Sequence, residues 1–386
     1  MGAMGFVREG IGVVFAGLAI AGAAYQILAA AMLRRLMAPQ AGAEPDVWPG
    51  ITVLKPLHGT EPDLHQALTG LLAQDYPGPL QVVFGLQSDT DPAQAVVGDL
   101  RRAFPERDVA LVVDATPHGA NRKVANLINM RPAAQHPLLV LADSDIAVPS
   151  GYLRGVVAAL RRPGVGLVTC AYRGQGVAGG WSRLAAMGLS YQFLPSVAAG
   201  VGLGLARPSM GSTIALSAET LDRIGGFEAF ADVLADDYAL GAAVRAAGET
   251  TLVAPVLVTH NCADANLDEV VRHELRWART VRAVDPAGFA GSAVTYPLPL
   301  ALIAVLVTGA TGWALAALAA ALISRLWIWW QVDRAASAPS GPWWWLPLRD
   351  ILSFAVFLGS FLGRAVDWRG DRFEVDAQGA LRRIEG

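Results

Sequence analysis

Asp143-Ser144-Asp145 follows the apolar run Leu138-Leu-Val-Leu-Ala and precedes Ile-Ala-Val-Pro, so two carboxylates at i and i+2 leave a buried β-rich segment together. A divalent ion, Mg2+ or Mn2+, takes oxygen ligands, and a diphosphate shares it with one or two carboxylates while water fills the remaining positions. One carboxylate of such a pair can face a nucleoside while the other faces the metal. Asp and Ser are also common turn residues, so placement at the end of an apolar run carries the argument. Asp89-Thr90-Asp91-Pro92 occupies the same kind of place after Gln81-Val-Val-Phe-Gly-Leu. There the acids suit either nucleotide contact or capping of the next helix.

Further along, Asn121-Arg122-Lys123 could bring Lys123 to a phosphate or simply open a solvated helix, while His118 just before it reads as structural. Asp236-Asp237-Tyr238 starts a helical stretch, where adjacent acids complement the helix dipole. A carboxylate held beside a second negative charge also keeps a raised proton affinity and can serve as a general base toward an acceptor hydroxyl. Leu267 to Val284 reads as an amphipathic helix bearing Arg272, Arg276, Arg279 and Arg282. These arginines suit anionic lipid, and Arg276-Trp277 suits a leaving diphosphate with an indole beside the sugar or acceptor. His273 reads as structural.

The elements that must position these groups lie between Val47 and about Phe289. Short β-rich runs at Ile51–Leu54, Leu80–Leu86, Val109–Val113, Leu138–Ala142 and Gly166–Cys170 alternate with helical stretches at Leu64–Gln74, Pro92–Phe104 and Lys123–Met130. The alternation predicts an open α/β sheet, whose ligands bind beyond the carboxyl ends of the strands. The first two acidic stations fall at such ends.

Apolar stretches flank this segment in a chain of 386 residues that is 53% hydrophobic and 16% charged. Ile11 to Leu33 holds 23 uncharged residues, about 34 Å as a helix and enough to span a hydrocarbon core. Arg34 and Arg35 after it, against Arg8 before it, place the following segment in the cytosol. A second apolar region starts near Tyr296 and reads as one tilted span or, the favoured expectation, a hairpin broken at Thr308-Gly309-Ala310-Thr311-Gly312, and a third piece runs from Ile351 to Gly363. Arg364, Arg369, Arg372, Arg382 and Arg383 mark a polar tail. The expected division is an anchor over 1–40, an α/β domain over 47–289, membrane helices over 290–366 and the tail over 367–386. Leu184 to Ala206 is uncharged too, yet a single crossing there would put the second and third stations on opposite sides of the bilayer. It reads as a buried or interfacial helix forming a lip for a lipid. A net charge of −3 offers no nucleic-acid footprint, and Cys170 and Cys262 lack any paired spacing.

The order of these motifs resembles the membrane-bound GT-A glycosyltransferases of family two and, more closely, family twenty-one, the ceramide glucosyltransferase family. Leu54-Lys55-Pro56-Leu57-His58-Gly59, Gln87-Ser88-Asp89-Thr90-Asp91-Pro92-Ala93, Asn121-Arg122-Lys123, Asp143-Ser144-Asp145, Ala235-Asp236-Asp237-Tyr238 and Arg276-Trp277 carry it, over about Ile51 to Pro297. Bacterial members that glycosylate hopanoids look similar, and Arg349-Asp350-Ile-Leu-Ser-Phe with Trp368-Arg369-Gly370 resembles that branch.

The resemblance implies an inverting transfer of glucose or N-acetylglucosamine from a UDP-sugar to a lipid hydroxyl, of ceramide or a hopanoid polyol. It also implies a catalytic domain on the cytosolic side of a bacterial inner membrane. Carried over, Asp89 or Asp91, with Lys123 and Asp143, sit at the donor, Asp143 and Asp145 at the metal, Asp237 is the base, and Arg276-Trp277 completes the motif (Q/R)xxRW. This chain departs from the pattern at His273, where Gln or Arg is expected. Transfer to a polyprenyl phosphate or a polysaccharide is a second reading, and a non-catalytic sugar-nucleotide-binding scaffold a third.

Overall fold

The computed structural model describes residues 3–38, 47–363, 365–368, 371–375 and 381–383. Strands β1 (Ile51–Pro56), β2 (Leu80–Leu86), β3 (Asp108–Val113), β4 (Leu138–Leu141), β5 (Ile146–Ala147), β6 (Val165–Gly176), β7 (Ile214–Ser217) and β8 (Thr250–Cys262) form one sheet in the order β3-β2-β1-β4-β7-β6-β8-β5. The first four strands run parallel, β7 runs against β4 and β6, and β6 and β8 are parallel. Leu54 is level with Val83 on one side and Leu141 on the other, so β1, β2 and β4 deliver their following loops to one edge.

Parallel strands in the middle of such a sheet are covered on both faces, which is why all seven residues of β2 are buried. Alternation along each strand sends Val53, Val82 and Val140 to one core, with α2 (Leu64–Leu72), α3 (Ala93–Ala103) and α5 (Tyr152–Leu160). Leu54, Val83, Leu139 and Leu141 face the other, where α4 (Arg122–Met130), α8 (Ala218–Arg223) and α9 (Asp236–Ala246) pack.

Between these helices in the chain, the expected apolar lip is α6 (Gly180–Gly188), a π-helical turn over Leu189–Phe193, and α7 (Leu194–Gly202). As one unit, Gly180–Gly202 is long and apolar enough to cross a membrane. It lies against β6 and α1 (Ala3–Leu36), and it does not separate the second acidic station from the third, because Lys123 contacts both.

Next come α10 (Leu267–Val284), α11 (Pro286–Gly291), α12 (Pro297–Thr308), α13 (Gly312–Ala336) and α14 (Leu346–Ser360). Helices α1 and α13 each have the length and hydropathy of a span, while α11 with its following turn meets α12 at a 65° bend. Gly309 ends α12 in the left-handed region, φ 73°, and α13 returns against α12 as the expected hairpin. Alanines do the packing: Ala16, Ala19, Ala301, Ala304, Ala314, Ala317 and Ala321 are buried where α1, α12 and α13 meet, since small side chains let backbones approach. The tail holds a small antiparallel sheet of β9 (Ala365–Trp368), β10 (Asp371–Val375) and β11 (Leu381–Arg383), with Arg364 and Arg369 outside the described residues.

Two buried ion pairs tie the C-terminal helices to the rest. Arg325 of α13 donates to both oxygens of Asp350 on α14 at 2.7 Å and to the Tyr191 carbonyl at 2.8 Å, and Arg349 donates to Glu274 of α10 at 2.6 Å. Removing one partner leaves a buried charge alone, a loss of about 3–5 kcal/mol. Arg325→Met should therefore lower the midpoint of denaturant unfolding in detergent, and Arg325→Met with Asp350→Leu should recover most of that loss.

Candidate active site

The turn after β4 carries Asp143-Ser144-Asp145, and a residue far upstream sets its shape. Lys55, buried at the end of β1, donates to the carbonyls of Asp143 at 2.5 Å and Ile146 at 3.0 Å. Burial lowers its ammonium to about 8 against the pull of Asp145 and Asp143, so the acidic turn keeps this cation in a dry place. Ser144 donates to Glu61 at 3.0 Å, and burial together with the Asp145 charge pushes Glu61 up to about 7.

Lys123 joins the second and third stations. It stands in the first turn of α4, whose cap Asn121 accepts from the Lys123 and Val124 amides, and its ammonium lies 2.7 Å from Asp143 and 3.3 Å from Asp236. Burial works against that ammonium, yet the Asp143 and Asp236 charges outweigh it and hold it above the ordinary range. Burial likewise raises Asp143.

Asp237 is the adjoining carboxylate at the start of α9. Its oxygens accept from the Gly211 amide at 2.8 Å and the Tyr238 amide at 2.7 Å, which fix the carboxylate in place. Burial, then the neighbouring Asp236 charge, raises it to about 6 against the opposing pull of Lys123. A carboxylate poised there can accept a proton near neutral pH. Gly211 allows the close approach: a Cβ on it would lie 2.8 Å from Asp143 and 3.3 Å from the Lys123 ammonium.

His260 went unnoticed in the sequence. Near the end of β8 its Nε2 lies 3.2 Å from Asp145, and although burial opposes protonation the Asp145 charge holds the imidazole well above its ordinary value. Burial would raise Asp145, but His260 outweighs it and keeps that carboxyl below the usual range. The His260 ring meets Trp277 edge-on at 6.0 Å and stacks with Tyr172 at 5.9 Å. Arg276 lies over Trp277 at 5.7 Å, so α10 delivers the Arg-Trp pair beside the acidic turn. His273 hydrogen-bonds Asp264 at 2.6 Å and stacks on Trp277, a place that orients the indole.

One cleft of about 1370 Å³ takes in most of these groups, Glu61 and His260 among them. Pro56, Leu57, His58 and Gln87 line it at the ends of β1 and β2, Asp143, Asp145, Lys123, Asp236, Asp237, Arg276 and Trp277 also line it, and Tyr25, Phe193, Val197, Phe289 and Phe357 add an apolar wall. Asp89 and Asp91 are not among its lining residues. Asp91 is buried, accepts from the Gly59 amide at 3.0 Å and from Ala93 at 2.9 Å, and so holds the loop after β1 against the start of α3. Asp89 is exposed. Asp91 thus has the contact expected of a residue at the start of α3, through the Ala93 amide.

The side chains fit a divalent ion shared with a diphosphate. Asp145 Oδ1 is buried without a hydrogen-bond partner, beside Asp143 and His260. No group of three or more His, Cys, Asp or Glu that could hold a metal exists among the described residues, so ligand oxygens and water would complete the shell of any ion bound here.

The sequence profile of glycosyl transferase family 21 matches residues 14–381. Ceramide glucosyltransferase 1 of Caenorhabditis elegans is 28% identical over 249 residues, covering 63% of this chain and 52% of that protein. The ceramide glucosyltransferase of Komagataella phaffii is 32% identical over 118 residues, 29% of this chain and 23% of that one. The chain thus spans about half or less of these relatives' lengths. Among solved structures, a mannosyltransferase of Pyrobaculum calidifontis in complex with GDP-Man and Mn2+ superposes with a TM-score of 0.52 at 20% identity, over 92% of this chain and 99% of that one. That likeness establishes the fold.

Proposed function

The chain belongs to glycosyl transferase family 21, and from that premise we propose that it transfers one sugar from a UDP-sugar to a hydroxyl of a membrane lipid, with inversion. The observation that carries this reading is the cleft itself, where a raised carboxylate, a cationic bridge and an Arg-Trp pair share one wall system with apolar residues of the flanking helices.

The nucleoside lies over Pro56, Leu57, His58 and Gln87 at the strand ends, and the diphosphate points to the acidic turn. Asp145 and Asp143, with His260 at the side, would hold the divalent ion, which when bound would stabilise charge on the diphosphate. Asp237 accepts the proton of the acceptor hydroxyl as that oxygen forms its bond to the anomeric carbon. The bond from that carbon to the diphosphate oxygen breaks on the opposite face, and the electron pair leaves with UDP. Arg276 bears on the departing negative charge, and Trp277 covers the sugar. The acceptor, a ceramide or a hopanoid polyol, comes from the apolar side, with the α/β domain facing the cytosol of a bacterial inner membrane.

Membranes containing the protein, supplied with radiolabelled UDP-glucose or UDP-N-acetylglucosamine, a lipid extract and Mn2+ or Mg2+, should yield a labelled lipid. No labelled lipid from either donor would overturn the reading.

A base at about 6 makes a second check. The raised Asp237 must be ionised to accept a proton, so kcat/KM should climb with pH through about 6 and level off above it. A flat profile between pH 5 and 7.5 would assign the proton elsewhere.

A further inference from the structure

The apolar half of the cleft contains a polar ledge on the π-helical turn over Leu189–Phe193. Pro195 has no N–H to give the Tyr191 carbonyl, and Arg325 takes that carbonyl instead at 2.8 Å. The chain widens there, as π-turns do at many functional sites. Gln192 sits on this turn and lines the cleft.

Its amide orientation is set by its partners. Nε2 donates to the Thr295 carbonyl at 3.2 Å and to Thr295 Oγ1 at 2.7 Å, and that hydroxyl spends its own proton on the Ser292 carbonyl at 2.7 Å. Both partners of Nε2 are therefore acceptors. Oε1 has no hydrogen-bond donor among the described residues, and Leu189, Phe193 and Val197 line the same cleft as Gln192. Ser196 and Tyr25 line the same stretch, and Ser196 donates to the Gln192 carbonyl at 2.8 Å.

The ledge is close to the chemistry. The ring of Phe193, the next residue, packs on Tyr172 at 4.7 Å, and Tyr172 stacks on His260, the partner of Asp145. An acceptor that has no donor within the protein recognises a ligand that brings one with it, since a bound analogue without one would leave the amide oxygen unpaired.

Resting on the proposed lipid glycosyl transfer, we infer that Gln192, oriented by Thr295, is a specificity residue that reads a hydrogen-bond donor next to the reacting hydroxyl of the acceptor lipid. An amide N–H or a second hydroxyl would satisfy it. A lipid bearing a lone hydroxyl would not.

Three acceptors of matched chain length test this: an N-acyl amino alcohol, its O-acyl ester isostere, and a 1,2-diol. Wild-type protein should favour the amide, the diol or both over the ester by about tenfold in kcat/KM, and the arm that is favoured identifies the donor. Gln192→Met should bring that ratio close to one. Thr295→Val, which keeps the amide but removes a partner that orients it, should lower the ratio part of the way. UDP titration in the presence of Mn2+ checks that each variant retains its donor site. An absent preference in the wild type, or a ratio unmoved in Gln192→Met, would overturn the assignment while leaving lipid glycosylation standing. Wild-type protein that binds UDP yet glycosylates none of the three would remove the lipid-acceptor reading and this residue's role with it.

Discussion

Asp237→Asn is expected to lower kcat by about 100- to 10,000-fold, the usual contribution of a positioned general base, while affinity for UDP changes little. The substitution is nearly isosteric, and the amides of Gly211 and Tyr238 that now donate to the two carboxylate oxygens can still find one acceptor in the new side chain. What disappears is the capacity to take a proton. Asp236 serves as a control, because it stands beside Lys123 at 3.3 Å and Asn121 at 3.5 Å. Its loss should disturb the bridge to Asp143 and weaken donor binding as well as turnover. Single-turnover transfer compared with UDP titration separates the two patterns. An Asp237→Asn protein with near wild-type kcat would mean that the acceptor is deprotonated by another group, and a sugar-nucleotide-binding scaffold would show no turnover to lose.

The sequence made the parallel half of the fold legible because each early strand is a continuous apolar run bounded by turn residues. β2 was expected over Leu80–Leu86 and occupies those residues, and α10 likewise fills Leu267–Val284. β7 and β8 were missed for opposite reasons. β7 is only Ile214–Ser217, too short to show a period, and β8 runs through Thr250–Cys262 with Pro255 inside it and polar residues at its end. Missing β8 also hid His260, whose meaning depends on lying across the sheet from Asp145. The task of Lys55 is not legible in the motif that contains it, since its two carbonyl partners lie 88 and 91 residues downstream. Asp91 illustrates the converse. Its spacing before Pro92 suits capping and nucleotide contact alike, and the bond from the Gly59 amide, in the loop after β1, could not be read from that spacing.

The flanking helices do more than anchor. Arg349 on α14 reaches Glu274 on α10, two residues before Arg276, and also donates to the Leu184 carbonyl of α6 at 3.3 Å. The helix that carries the Arg-Trp pair is thereby held to two elements of the apolar wall. Arg349→Met should consequently raise KM for the acceptor and lower kcat by shifting α10, with UDP binding less affected. Motion of these helices in a bilayer would be felt at Trp277 through the same contacts.

Asp145→Asn is expected to weaken Mn2+-dependent binding of UDP by more than about 100-fold, and His260→Gln by about 10- to 100-fold. The two figures follow from different roles. Asp145 presents a buried oxygen, Oδ1, without a hydrogen-bond partner, and replacing the acid by an amide removes the negative charge that would offset a divalent ion there. His260 touches the other oxygen at 3.2 Å and is held between Tyr172 and Trp277, so it fixes the direction in which the carboxylate points. Gln retains a donor for that contact but not the ring, which loosens the carboxylate without discharging it. Calorimetric titration of UDP at several Mn2+ concentrations measures both effects. In His260→Gln, high Mn2+ should restore most of the affinity, whereas in Asp145→Asn it should restore little. UDP affinity in Asp145→Asn equal to that of the wild type at low Mn2+ would place the ion away from this turn, and Asp143, already paired with Lys123 at 2.7 Å, would then be holding only the cation that the structure shows beside it.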